Sequence, residues 1–395
     1  RLTSLLRPPG SGPPENPVPQ STAPWRLILD YQSNVWYHEE MEPTPSPPAH
    51  KGRGAAGNPA NRFEPIAYDP DPELDPSESP SPRTTVLRDS SRSILARNDS
   101  PDVPFTYSVN PYRGCEHGCV YCYARPYHEY LGFSIGLDFE TRIIVKENAA
   151  ELLNRELGSP KWEPQTVALS GATDPYQPIE RKLRITRACL EVLADYRNPV
   201  GVITKSHLVT RDIALFRELN RHRAVAVSLS ITTLDADLAR VLEPRAATPK
   251  RRLEAIRELS AAGIPVTVMT APVIPGLTEH ELPALVAAAA EAGAVAAGWI
   301  MMRLPHGMDG LFEEWLERHY PDRRNKVMNR VRHVRGGKTD DSRFGTRMRG
   351  EGVYAKEVEA LFRLACRKAE VSTRRRRDLS AAAFRPRAPR QLSLL

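Results

Sequence analysis

Between residue 105 and about residue 305, short apolar segments rich in β-branched residues alternate with longer segments of helical periodicity. Such alternation is typical of parallel strands, because a parallel neighbour needs a crossover long enough to return to the same edge of the sheet. The predicted strands are 105–110, 166–170, 200–204, 225–231, 266–272 and 295–302. Beyond residue 305 the alternation stops. We therefore predict an α/β fold, a partial barrel of six β/α repeats rather than a closed barrel of eight.

Residues 1–104 differ in composition from the rest of the chain. Of the 37 prolines, 20 fall in this segment, and proline cannot donate a backbone hydrogen bond to a helix or sheet. We expect a largely disordered arm over 1–104, the barrel over 105–305, a basic and mostly helical extension over 306–370, and a disordered Arg-rich tail over 371–395.

Within this arm, residues 51–63 are basic and contain glycines. Such a segment could contact a phosphate, but its composition favours a linker.

Three of the five cysteines lie within eight residues, in the run CEHGCVYC from Cys115 to Cys122. This clustering indicates a reducing compartment and a metal or cluster site rather than a disulfide scaffold. Three thiolates on a tight loop suit three irons of an iron–sulfur cube, and no fourth cysteine is near. The alternatives are a zinc site completed by His117 or His128, or a C-x2-C redox pair. Zinc normally needs a second ligand pair at a distance, and the sequence shows none.

The longer run NPYRGCEHGCVYCYAR, residues 110–125, resembles the cluster loop of the radical S-adenosylmethionine (SAM) superfamily, in the branch that includes spore photoproduct lyase. The resemblance covers residues 105–305 and agrees with the partial barrel. It implies that Cys115, Cys119 and Cys122 bind a [4Fe-4S] cluster, with SAM on the fourth iron. It also implies that SAM is cleaved reductively to a 5′-deoxyadenosyl radical, a reaction that belongs to the cofactors while the protein positions them.

The resemblance further suggests SAM contacts at the carboxyl ends of the strands, where barrel sites lie. Tyr121 would lie near the adenine, and Thr173 and Asp174 would hold the methionyl amino group. Lys205 and one of two strand-end serines would contact the methionyl carboxylate. Residues 243–245 offer a ribose or carboxylate contact, or a surface ion pair. Each residue could instead be a turn former or a packed side chain. The candidates are Tyr121, Gly171, Ala172, Thr173, Asp174, Lys205, Ser228, Ser230 and Ala271.

The chain departs from the family pattern in its hydrogen donor. Spore photoproduct lyase uses a cysteine some tens of residues beyond its cluster loop, whereas no cysteine lies between Cys122 and Cys189 here. Cys189 and Cys366 lie in apolar helical segments and are expected to be core thiols. We therefore assign no catalytic hydrogen donor and do not assign thymine-dimer reversal.

Basic residues concentrate near the carboxyl end of the chain. Residues 321–350 hold ten Lys or Arg against three Asp, a density that fits phosphate binding but also a solvated basic face. The last five residues resemble the peptide by which bacterial polymerases and repair proteins bind the sliding clamp, where a short disordered end inserts Leu side chains into a pocket. The residues concerned are Gln391, Leu392, Leu394 and Leu395.

These features together predict a cytoplasmic radical SAM enzyme that acts on a nucleic acid, in the first place DNA, as in the repair of a nucleobase lesion. Such an enzyme needs an external electron donor, and no segment is apolar enough to span a bilayer. Two alternatives remain: radical SAM modification of RNA or protein, and a non-catalytic iron–sulfur DNA-binding module tethered to the clamp. SAM cleavage separates the last interpretation from the other two.

Overall fold

The computed structural model describes residues 25–30, 35–40, 49–64, 81–373 and 379–386. The chain divides into two compact units, residues 1–46 and residues 47–395. The described part of the first unit is an antiparallel hairpin of β1 (Trp25–Asp30) and β2 (Val35–Glu40). The residues of functional interest that the structure describes lie in the second unit.

Two sheets form the framework of the second unit. The strands are β3 (Thr85–Arg88), β4 (Leu95–Arg97), β5 (Tyr107–Val109), β6 (Tyr112–Arg113), β7 (Arg142–Val145), β8 (Val167–Leu169), β9 (Val200–Thr204), β10 (Val225–Ser230), β11 (Val266–Val273) and β12 (Ala296–Met301). The larger sheet has the order β12-β11-β10-β9-β8-β5-β4, and the smaller sheet has the order β3-β7-β6. Strands β5 and β8 to β12 are mutually parallel, whereas β4 runs antiparallel at the edge.

The six parallel strands are the six predicted from the sequence, so the mixed α/β fold with a partial six-repeat barrel is confirmed. Strand β9 has the predicted bounds, and each of the others begins or ends within two residues of its predicted position. Because these six strands are mutually parallel, their carboxyl ends all lie at one edge of the sheet. The antiparallel edge strand β4 was not predicted.

Helices connect the parallel strands and continue beyond the barrel. They are α1 (Leu137–Thr141), α2 (Ala149–Leu157), α3 (Glu180–Leu183), α4 (Ile185–Tyr196), α5 (Ile213–Arg221), α6 (Ala236–Leu242), α7 (Pro249–Ala261), α8 (Leu282–Glu291), α9 (Met308–His319), α10 (Arg324–His333) and α11 (Gly352–Lys368). The last three lie within the predicted helical extension. No helix in the described ranges is long and apolar enough to cross a membrane.

Helix α7 shows how local sequence builds these crossovers. Thr248 caps its first turn by accepting a hydrogen bond from the Arg251 N–H, and Pro249 occupies the first helical position, where a missing N–H costs nothing. Ile256 and Leu259 recur at helical spacing and are fully buried in the main core. Capping and one apolar face together dock this helix on the sheet.

The structure differs from the predicted disorder of the amino-terminal arm over residues 49–64 and 81–104. Residues 53–56, here called the strap, are buried. Strand β3 belongs to the smaller sheet and β4 to the larger sheet. Proline-rich composition did not prevent this packing, because the strap finds hydrogen-bond partners in the barrel.

The structure also describes part of the predicted disordered tail. The ring of Phe384 stacks on Tyr196, with centroids 5.8 Å apart. The Arg385 N–H donates to the Tyr196 carbonyl at 3.0 Å. Residues 379–386 therefore pack against the carboxyl end of α4.

Candidate metal and cofactor site

The three-cysteine loop begins after β6, at the carboxyl edge of the parallel sheet. The Cys115 N–H donates to the Phe139 carbonyl at 2.9 Å. Gly118 has a φ of +67°, and a Cβ at this position would lie 2.7 Å from Glu140 Oε2. Both the left-handed backbone and the nearby carboxylate require glycine between the first two cysteines.

The three thiols are shielded from solvent. Cys115 is 6% exposed, Cys119 is 8% exposed, and Cys122 is half-buried. Burial raises the pKa of all three thiols, and each of the other two cysteines raises that of Cys115 further. The Lys205 ammonium has the opposite effect and lowers the pKa of Cys119 and Cys122. Three mutually interacting thiols with a nearby cation form a suitable donor set for a metal centre, whose binding would remove their protons.

The zinc alternative needs His117 or His128 as a fourth ligand beside the three thiols. His117 Nδ1 faces Asp174 Oδ2 at 3.4 Å, and His128 packs against Phe133 and Phe139. A cube spreads its cysteine ligands over three irons, so the donor set suits a cluster better.

A buried ion pair ties the strap to the cluster loop. The Gly54 and Ala55 N–H groups donate to the Glu140 carboxylate at 3.0 and 2.9 Å. Arg125 pairs with the same carboxylate, and its Nε donates to the Cys119 carbonyl at 3.0 Å. Both partners of the pair are fully buried. One carboxylate therefore links the strap to the backbone of the second cysteine.

The favoured interpretation of residues 51–63 as a linker is wrong for the strap. A Cβ on Gly54 would lie 1.9 Å from the Gly118 carbonyl oxygen, so the two backbones are in direct contact. Arg53 is also buried and donates to the Glu140 carbonyl at 3.0 Å. The glycine was a visible signal of close backbone approach, but composition alone could not identify the partner.

Sequence reasoning also missed Gln177, which supports the loop from the other side. The Glu116 N–H donates to Gln177 Oε1 at 2.8 Å, and Gln177 Nε2 donates to the Gly114 carbonyl at 3.2 Å. Gln177 is completely buried. Its amide therefore fixes the backbone on both sides of Cys115. No sequence pattern marks such a role for a lone glutamine.

Asp174, predicted to hold an amino group, is a positioning residue in this structure. Oδ1 accepts from Thr204 Oγ1 at 2.7 Å and from the Tyr176 N–H at 2.8 Å. Oδ2 accepts from the Lys205 N–H at 2.7 Å and faces His117 Nδ1. Burial alone would raise the pKa of Asp174, but His117 and these hydrogen bonds lower it. With four partners on two oxygens, the carboxylate has no acceptor left for an ammonium.

The three residues before Asp174 are tied to the strand β5 and β6 region and to the cluster loop. The contacts are Tyr123 OH to the Gly171 carbonyl (2.6 Å), the Ala172 N–H to Asn110 Oδ1 (2.9 Å), and Thr173 Oγ1 to the Tyr112 carbonyl (2.9 Å). These predicted cofactor residues therefore lie beside the cysteines. The Thr173 hydroxyl donates its proton to the backbone, which leaves its lone pairs as acceptors.

Lys205, Ala271 and Tyr121 meet at one place although they come from three segments. Lys205 Nζ donates to the Ala271 carbonyl at 3.2 Å and lies 5.8 Å from the centroid of the Tyr121 ring. Ser228 and Ser230 are buried on β10, and because they are two residues apart they lie on the same face of the sheet.

Glu243 holds the far end of Tyr121. Its carboxylate accepts from the Tyr121 hydroxyl, from Thr232 Oγ1 at 2.7 Å, and from Arg252 in a buried ion pair. Burial alone would raise the pKa of Glu243, but Arg252 and Lys205 lower it to about 2. The segment 243–245 was predicted to supply a ribose or carboxylate contact, or a surface ion pair. In the structure Glu243 is an internal support of the aromatic side chain, and Arg245 forms a partly exposed ion pair with Glu116.

The basic segment 321–350 uses most of its charge internally. Five of its arginines pair with carboxylates, namely Arg324, Arg330, Arg332, Arg343 and Arg347. Arg335 is buried and donates to the Met301 and Met302 carbonyls, and Arg349 donates to the Trp299 carbonyl. Carboxylates or backbone carbonyls therefore balance much of the positive charge of this segment, and its composition overstated the free charge.

Two further predictions concern the remaining cysteines and the chain end. Cys189 and Cys366 lie in the main hydrophobic core, as expected of structural thiols. The residues predicted to bind the sliding clamp, Gln391, Leu392, Leu394 and Leu395, lie outside the described residues.

Comparison with known proteins agrees with the family resemblance of the cysteine loop. Residues 109–289 match the model of the radical SAM superfamily. A Mycobacterium tuberculosis protein named only as uncharacterized is 40% identical over 222 residues, which cover 56% of this chain and 65% of that protein. A Methanocaldococcus jannaschii protein, also named as uncharacterized, is 30% identical over 175 residues, which cover 44% of this chain and 63% of that protein. The chain thus spans less than two thirds of these relatives.

Among solved structures, spore photoproduct lyase complexed with dinucleoside spore photoproduct is similar with a TM-score of 0.49 and 16% identity, over 72% of this chain and 79% of that one. The structure of native anSMEcpe with bound AdoMet gives a TM-score of 0.30 and 12% identity, over 45% of this chain and 52% of that one. Residues 109–289 of this chain, just under half of its length, are thus similar to the radical SAM superfamily.

Proposed function

We propose that this protein is an enzyme that cleaves SAM reductively to a 5′-deoxyadenosyl radical at a [4Fe-4S] cluster and acts on a nucleic acid, with a damaged DNA base as the first candidate. The observation that carries the enzymatic part is the set of three shielded thiols on one loop, inside the segment that matches the superfamily. Three cysteines leave one iron of a cube without a protein ligand.

The residues around the loop support a role in positioning SAM. Lys205 brings a cation to the carboxyl edge of the sheet, and Thr173 and the two serines of β10 offer hydroxyl groups at the same edge. A carboxylate ligand would be attracted by the Lys205 ammonium. Asp174 and Glu243 would act indirectly, by holding the loop and Tyr121 in place.

A cluster of exposed aromatic rings supports a nucleic-acid substrate. Phe63, Tyr123, Tyr127 and Tyr130, here called the aromatic face, are between 46% and 67% exposed. Three of them, Tyr123, Tyr127 and Tyr130, lie within eight residues after the third cysteine. Arg62 lies over the Phe63 ring at 4.7 Å from its centroid. Exposed rings beside arginines provide stacking platforms for unpaired bases.

The remaining parts of the proposal rest on the sequence. The terminal peptide would bind the sliding clamp, an external donor would supply the electron, and the cytoplasm would provide reducing conditions. No hydrogen donor is proposed, because Cys189 and Cys366 are enclosed in the core.

The enzymatic proposal can be tested by anaerobic reconstitution with iron and sulfide, followed by dithionite and SAM. We expect 5′-deoxyadenosine from the wild type and from Cys189→Ala, which removes a thiol outside the loop, but none from Cys119→Ala. A preparation with an intact cluster that yields no product would overturn the proposal and favour the non-catalytic module.

The substrate proposal can be tested separately by fluorescence anisotropy with single-stranded DNA, duplex DNA and tRNA. Replacing Tyr127 and Tyr130 with alanine should weaken binding of the single strand by about 1–3 kcal/mol for each base stacked. Leu364→Ala, an exposed apolar position on α11, is the matched control. Much tighter binding of tRNA than of either DNA would favour an RNA substrate instead.

A further inference from the structure

A cavity of about 400 Å³ opens next to the cluster loop. It contains none of the three cysteines, and of the predicted SAM contacts it contains only Arg245, from the segment 243–245. It reaches the loop at His117, between the first two cysteines, and continues over the segments that follow β9 and α6. The charged and titratable residues that line it are His117, Arg181, His207, Arg211, Arg245 and Arg251.

The lining is cationic. It has four arginines and two histidines, while the remaining lining residues are Pro, Ser, Leu, Thr and Ala, without a carboxylate. A volume of this size is within the range of small-ligand sites. A concave surface with several guanidinium groups and no acidic group at its wall favours an anionic ligand.

Two of the arginines are held from behind by buried carboxylates. Arg211 Nη2 pairs with Glu180 Oε1 at 2.7 Å and with Asp212 Oδ2 at 2.9 Å. Arg245 Nη2 pairs with Glu116 Oε1 at 3.1 Å. These carboxylates orient the guanidinium groups at the cavity wall, so ligand binding would not have to order them.

The other two arginines, Arg181 and Arg251, are exposed. Arg251 pairs with Glu254 on its own helix and donates to His207 Nδ1 at 3.2 Å. Arg181 has no ion-pair partner in the part of the chain that the structure describes. Its charge is therefore available to a ligand.

We propose that this cavity binds a phosphate-bearing anion. The planar guanidinium fork donates two parallel hydrogen bonds to phosphate oxygens, which a lysine cannot do. The phosphate could belong to a nucleic-acid backbone or to a small phosphorylated molecule. A backbone phosphate in the cavity would hold a nucleic acid beside His117 and thus beside the cluster loop.

This inference goes beyond the proposed SAM chemistry and is tested without a reductant, so its failure would leave the proposed reaction untouched. The variant is Arg181→Gln with Arg251→Gln, which removes two exposed charges and leaves the buried carboxylates paired. The matched control is Arg217→Gln with Arg257→Gln, which changes net charge equally at two exposed helical positions outside the cavity.

The probes are a fluorescein-labelled single-stranded 20-mer, the same sequence as a duplex, and inorganic pyrophosphate, each titrated into reconstituted full-length protein. If the cavity binds the nucleic-acid backbone, the variant should lose about tenfold or more in affinity for an oligonucleotide. The slope of log K against log salt should also fall by up to about two, whereas the control should keep both values.

The outcomes separate the two sources of phosphate. Loss of pyrophosphate binding alone, with oligonucleotide binding equal in variant and control, would identify a small phosphorylated ligand. If variant and control bind all three probes equally, the cavity is not a phosphate site and the proposal is overturned.

Discussion

An alanine at Gly54 should force the strap away from the cluster loop. The added Cβ would lie 1.9 Å from the Gly118 carbonyl oxygen and 3.1 Å from its carbon. Both are backbone atoms, so no side-chain rotation can relieve the overlap. Since ordinary contact distances are about 3.5 Å, the two backbones must separate by about 1.5 Å.

The contacts of Glu140 determine what this separation costs. If the strap moves, the hydrogen bonds from the Gly54 and Ala55 N–H groups to Glu140 are lost, and at about 1.5–3 kcal/mol for each bond to a charged group the cost is about 3–6 kcal/mol. If the loop moves instead, repacking costs about 1–3 kcal/mol but displaces the backbone between Cys115 and Cys119. We expect the loop to move, because this costs less. The free energy of unfolding should fall by about 1–3 kcal/mol, and the cluster loop should be displaced.

Urea unfolding and iron content after reconstitution measure the two consequences. Gly310→Ala is the matched control, because nothing lies within 4 Å of a Cβ at that helical position, and alanine there should stabilise α9 by up to about 1 kcal/mol. We expect Gly54→Ala to unfold at lower urea and to bind less iron than the control. If Gly54→Ala unfolded at the same urea concentration as the wild type and bound as much iron, the contact between strap and loop would be refuted.

Two further predictions concern buried titratable groups. Glu243→Gln leaves Arg252 buried without a counter-ion, so its free energy of unfolding in urea at pH 7 should fall by about 3–5 kcal/mol. Glu243→Gln combined with Arg252→Met should lose less, and equal losses in the two variants would contradict this. Folding lowers the pKa of Glu243 from 4.5 to about 2. The ionised Glu243 carboxylate therefore stabilises the folded state fully above pH 4.5, and this contribution is lost as the pH falls towards 2. Burial lowers the pKa of His128 from 6.5 to about 4, so the free energy of unfolding should also fall as the pH is lowered from 6.5 to 4. The melting temperature of His128→Phe should depend less on pH in this range than that of the wild type.

The barrel could be predicted from the sequence because its information is local. Each parallel strand is a short apolar run, and each crossover repeats its apolar residues at helical spacing, so strands such as β9 were located exactly. The cysteine loop was equally accessible, because three ligands at fixed spacing lie within eight residues. These signals depend on neighbours in the chain and need no knowledge of tertiary contacts.

The supports of the loop could not be predicted, because their partners are distant in the sequence. Gly54 and Glu140 are 86 residues apart, and Arg347 pairs with Asp102 across 245 residues. Composition counted Arg347 as a free cation and Gly54 as linker. In both cases the missing information was the identity of the partner, which decides whether a charge faces solvent or is neutralised inside the fold.

Buried carboxylates explain why these distant contacts matter for function. Glu140 and Glu243 are buried, the Asp174 side chain is 10% exposed, and each accepts several hydrogen bonds around the cluster loop. A buried ion pair contributes little net stability, since desolvation offsets the attraction, but losing one partner is costly. Such pairs therefore specify geometry more than they stabilise the fold. We infer that substitutions at these three carboxylates would displace Cys119, Lys205 and Tyr121 relative to one another even where the barrel still folds.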